Sequence, residues 1–110
     1  MKFTKTFEVD RSMVNRIPTF MAIQHYELEM SSPSYYRFKR GSGLVFIKPT
    51  FDITKIPTTV DISLMEAEGG RLQVLVNYNV SGKGTYIFTS EEREKIMAEI
   101  ENLELFAKVK

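Results

Sequence analysis

The chain has 110 residues, 43% apolar and 26% charged, with a net charge of +1, one histidine and no cysteine. That length supports one domain with one real core, not two. The near-zero charge excludes a strong whole-molecule field for nucleic acid or an anionic membrane. The missing cysteines exclude disulfides, thiolate nucleophiles and thiolate metal sites.

No stretch approaches the run of roughly eighteen apolar residues that a membrane helix needs. The start, MKFTKTFEVD, lacks the apolar run of a signal peptide. These features predict a cytoplasmic protein, or a soluble piece of something longer. Internal repeats, low-complexity tracts and domain linkers are all missing.

Phe3, Phe7 and Val9 alternate with Lys2, Thr4, Thr6 and Glu8, which predicts a first strand. Asp10 or Ser12 can then cap a helix, since either side-chain oxygen accepts from first-turn amides. Met13, Ile17, Phe20, Met21 and Gln24 recur at helical spacing. Pro18 removes a donor and biases Ile17 away from helical angles. That leaves a kinked helix over about residues 12–23, or a short turn and then a helix with Pro18 in its first turn.

Residues 26–30 and 35–40 read as a hairpin across the turn SSPS. Tyr26, Leu28 and Met30 face inward, answered by Tyr36 and Phe38. Pairing Leu28 with Phe38 sets Glu29 opposite Arg37 and Glu27 opposite Lys39 on the outer face. A turn at residues 40–43 leads into Leu44-Val45-Phe46-Ile47, suited to a buried strand that Lys48-Pro49 ends. Residues 51–56 read as an extended connector, anchored by Phe51, Ile53 and Ile56.

Residues 57–80 carry the strongest local signal. Val60, Ile62 and Leu64 alternate with Thr59, Asp61 and Ser63, and Leu72, Val74, Val76, Tyr78 and Val80 alternate with polar neighbours. Facing residues share a side of the sheet, so the two apolar sets must pair with an even sum of residue numbers. A three-residue loop, Glu68-Gly69-Gly70, achieves this by pairing Leu64 with Val74, Ile62 with Val76 and Val60 with Tyr78. Such a loop suits a type I turn with a left-handed Gly70 after it.

After a turn at residues 81–84 comes a short strand over 85–88, and then the clearest helix. Thr89-Ser90-Glu91-Glu92 has the form of a capping box. Ile96, Met97, Ile100, Leu103 and Ala107 make one apolar stripe, widened by Phe106. The order β-α-β-β-β-β-β-α predicts an α+β fold: one antiparallel sheet of five to seven strands, with an N-terminal helix and a long C-terminal helix on one face. It resembles the helix-grip architecture, in which a long C-terminal helix lies across the concave side of a curved sheet.

No motif assigns an activity. His25 stands at the end of the first helix and reads as a helix-end residue rather than a base or ligand. Asp52 and Asp61 show nothing that would raise a carboxyl pKa for acid–base work. Ser42 has no identifiable partner. Residues 40–47 begin like an RNA-recognition strand, but Ser42, Leu44 and Ile47 stand where stacking aromatics are needed. We therefore expect no catalytic residues, no metal site and no cofactor.

Three kinds of binding remain. The first is a non-catalytic interaction module that pairs a sheet edge with a protein partner or with itself, as a homodimer. The second is a cavity between the curved sheet and the C-terminal helix for an apolar molecule, lined by Tyr36, Phe38, Met65 and Met97. The third is nucleic-acid binding through Tyr35, Arg37, Lys39 and Arg40, where basic and aromatic side chains interleave. Residues 1–55 carry +4 and residues 56–110 carry −3, but Glu27 and Glu29 should cancel much of the basic field on that strand.

Overall fold

The computed structural model describes residues 1–41, 56–80 and 90–108. The expected strands at 44–47 and 85–88, the connector at 51–55 and the Thr89 cap lie outside them. Among the described residues, five strands form one sheet in the order β1-β5-β4-β3-β2. They are β1 (Lys2–Asp10), β2 (Glu27–Ser32), β3 (Tyr35–Arg40), β4 (Thr58–Glu66) and β5 (Arg71–Val80). Every neighbouring pair is antiparallel. Two helices, α1 (Arg16–Ile23) and α2 (Ser90–Lys108), cover one face.

The central hairpin takes the even-sum register. Leu64 faces Val74, Ile62 faces Val76 and Val60 faces Tyr78. Ala67 donates to the Arg71 carbonyl at 3.0 Å, which leaves a three-residue loop, Glu68-Gly69-Gly70. Both glycines are left-handed, at φ 69° and 72°, so the loop departs from a type I turn with a single left-handed residue. β1 adds Phe3, Phe7 and Val9 to the same face by pairing with Tyr78, Val74 and Leu72. Lys5 falls on this face as well; its ammonium reaches Glu104 of α2 at 3.2 Å.

Pro18 sits in the first turn of α1, after a separate 3-10 turn at Arg11–Met13, so the second of the two helix readings holds. Asp10 caps the 3-10 turn by accepting from the Ser12 amide at 3.0 Å. α1 ends in a Schellman motif: the Tyr26 amide donates to Met21 and the His25 amide to Ala22, both at 3.0 Å. His25 is the left-handed residue of that motif, at φ 69°. Its side chain is exposed.

α2 buries Ile96, Ile100, Leu103 and Ala107 against the sheet. Each large side chain of that stripe contributes roughly 1.5–3 kcal/mol by leaving water. Phe106 packs on Phe20 of α1 with ring centroids 5.6 Å apart. Met97 departs from the expected stripe and is 49% exposed. Its position, one residue past Ile96, turns it towards the helix flank.

The β2–β3 hairpin also differs from expectation. Leu28 faces Phe38, but Met30 rather than Glu29 faces Arg37, because a bulge at Glu29 shifts the register. Two residues then oppose one, so Met30 moves to the outer face. Met30 and Leu28 are each about half exposed. Glu29 supplies the ion pairs instead, reaching Lys39 at 2.7 Å and Arg37 at 4.0 Å.

Candidate functional site

The inner face of β3 carries Tyr36, Phe38 and Arg40, while Tyr35, Arg37 and Lys39 point the other way. Arg40 thus enters the face that carries Val60, Ile62, Val74 and Val76, all fully buried. Only 5% of Arg40 is exposed. A cation so placed must find partners or forfeit its hydration.

One guanidinium nitrogen, Nη1, finds two. It donates to the Gln24 carbonyl at the end of α1 (2.9 Å) and to Glu99 Oε1 of α2 (2.7 Å). The first contact satisfies one of the orphan carbonyls a helix end leaves. The guanidinium also lies over the Tyr26 ring, 4.1 Å from its centroid. Tyr26 in turn donates its hydroxyl to the other Glu99 oxygen at 2.8 Å. Arg40 therefore joins β3, both helices and the chain leaving α1.

Tyr78 of β5 completes the cluster, meeting Tyr26 edge to face with centroids 6.3 Å apart. Burial pushes the Tyr26 hydroxyl far above its ordinary range, and the Glu99 charge adds to this against the pull of Arg40. Burial does the same to Tyr78. Both remain protonated donors. The Tyr78 hydroxyl interacts with Glu99 and Tyr26, yet Arg40 Nε and Arg40 Nη2, both buried, have no hydrogen-bond partner among the described residues.

The fold is a helix-grip. Two solved structures share it over nearly their whole length. One is an HSP90 activator from Plasmodium falciparum, 13% identical, with a TM-score of 0.55 over 96% of this chain and 94% of that one. The other is Ara h 8.0201, 11% identical, with a TM-score of 0.52 over 97% of this chain and 94% of that one. No protein-family model matches the sequence, and no curated protein does. At these identities the likeness shows architecture alone.

The four residues expected to line a cavity do not come together. Tyr36 and Phe38 share the inner face, their rings 5.9 Å apart. Met65 is an odd-numbered residue of β4, on the outer face and 58% exposed. Met97 instead borders a cleft of about 120 Å³ between β1 and α2, with Phe3, Lys5 and Ile100.

The basic strip is divided as well. Arg37 donates from Nε to Asp61 at 2.8 Å, and the Tyr35 hydroxyl donates to the same oxygen. Lys39 is held by Glu29, and Arg40 lies on the opposite face. The residues that sequence reasoning missed are Tyr26, Tyr78 and Glu99, along with the inward direction of Arg40. No group of three or more metal-ligating side chains converges among the described residues. No helix there is long and apolar enough to cross a membrane.

Proposed function

We propose that the protein binds a small, mainly apolar molecule between α2 and the inner face of the sheet, with its polar end at the Arg40–Glu99–Tyr26–Tyr78 cluster. One observation carries this reading: the cluster buries a cation whose donors are only partly used among the described residues. A buried donor without an acceptor costs about 1–3 kcal/mol, and more when charged. An acceptor brought by a ligand recovers that loss, while the apolar layer around it accepts the remainder of the molecule. The helix-grip architecture, with a helix laid across a sheet, supports this placement.

Native mass spectrometry of protein purified without denaturant tests the reading. A co-purified small molecule, released by Arg40→Ala, is the expected result. A protein that arrives empty and gains no thermal stability from any apolar acid, ester or alcohol would overturn it.

A second reading rests on β2, a sheet edge whose six residues are all exposed. Unpaired edges recruit further strands, and association through β2 with a second copy or a protein partner would cover Leu28. A sedimentation mass that stays monomeric at high micromolar concentration would remove it.

A further inference from the structure

We infer that the polar end of the ligand is a carboxylate, received by the free edge of Arg40. This rests on the binding reading above. Among the described residues, the two guanidinium nitrogens without partners are Nε and Nη2. They are neighbours on one edge of a planar group, and their N–H bonds run parallel. Nη1, on the other side, is committed to Gln24 and Glu99. What remains is a two-pronged donor fork, and two parallel N–H groups match the two oxygens of one carboxylate.

The donor count agrees. Nε has one hydrogen and Nη2 two. A single ketone or hydroxyl oxygen would leave part of the fork unused. A carboxylate offers two oxygens with about four acceptor positions. The Arg40 guanidinium lies over the Tyr26 ring, and the Glu99 and Gln24 contacts at Nη1 hold it there. The free donors are already aimed and already dehydrated, so they favour a bidentate acceptor although Glu99 already balances the Arg40 charge. A lysine would supply charge but not the fork, which separates shape from charge as the source of preference.

The test uses the full-length protein and matched probes: dodecanoic acid, an aromatic acid of similar bulk, and the methyl ester of each, titrated by calorimetry below their aggregation limits. The acids are expected to bind about tenfold or more tightly than their esters. Arg40→Lys, which keeps the charge but not the fork, should narrow that preference. The comparison of acid with ester in the unaltered protein needs no variant to fold. Equal binding of acid and ester would overturn the carboxylate assignment and leave ligand binding standing. Failure of all four probes to bind would overturn both.

Discussion

Two arginines lie three residues apart on β3, each paired with a carboxylate, and they do opposite things. Arg37 faces outward to Asp61 of the neighbouring strand, with more than a third of its side chain in water. Arg40 faces inward to Glu99 of α2, with 2% of its side chain exposed. The outer pair lies in a polar row running from Glu29 through Arg37, Asp61 and Asn77 to Thr4, and any member of it could trade its partner for water. The inner pair has no such exchange. Burial, more than the chemistry of the pair, decides whether an ion pair decorates a strand or holds layers together.

The largest expected effect comes from removing one inner partner. Glu99→Ala strands a buried cation and should cost about 3–5 kcal/mol of unfolding free energy. Replacing both members with apolar side chains, Arg40→Met with Glu99→Leu, should recover most of that loss, since the desolvation penalty goes with the charges. Denaturant unfolding of the two variants decides it. If the double replacement is no better than Glu99→Ala, the inner cluster is more than an ion pair, and the contrast between the two faces needs another cause.

Gly41 comes next in size. It turns the chain immediately after Arg40 at φ 89°, and a Cβ there would lie 2.4 Å from the Ile56 carbonyl oxygen. Gly41→Ala should cost about 1–3 kcal/mol from the conformation alone. It should shift the NMR signals of Tyr26 and leave those of Tyr35 in place, because the strain falls at the inner end of β3. Equal shifts in both rings would mean the two faces are coupled. A smaller effect of opposite sign is expected at His25. The left-handed conformation burdens any residue with a Cβ, so His25→Gly should stabilise by about 0.5–1 kcal/mol after the added freedom of the unfolded chain is counted. An unchanged midpoint would show that the His25 side chain contributes something its exposure hides.

Much of this arrangement was legible in the sequence. Alternation at residues 60–64 and 72–80 located the central hairpin, and face parity selected its register from two glycines. Parity also carried the information that Arg40 shares a face with Tyr36 and Phe38. Reading residues 35–40 as one basic strip obscured it. Glu99 lies between Ile96 and Ile100 on the buried side of α2, where helical spacing calls for an apolar residue; a carboxylate in that slot implies a buried cation. Met65, by the same parity, belonged outside. The bulge at Glu29 was not legible, because one extra residue in an edge strand leaves no mark in ELEMSS. Nor was the union of Tyr26, Tyr78 and Glu99, which depends on how the helices settle on the sheet.

The smallest effect belongs to the outer pair, and pH and salt bring it out. Burial pushes the Asp61 carboxyl up, but hydrogen bonds from Arg37 and Tyr35, with the Arg37 charge, outweigh it and hold the group below 3.8. A carboxyl depressed in the folded state contributes stability that is complete above its unfolded value of about 3.9. That contribution is lost as pH falls through the lower folded value. Glu104, held low chiefly by Lys108 and also by Lys5, acts in the same direction, so the acid slope of the unaltered protein alone does not isolate Asp61. The difference between that protein and Asp61→Asn does. It should be small at pH 7, narrow further as pH is lowered towards 2, and shrink in about 1 M salt, where the screening length falls to roughly 3 Å. The Glu99→Ala deficit should hold in the same salt. A salt response of equal size at both sites would mean that water reaches Arg40, and the distinction between the faces of β3 would then be one of degree.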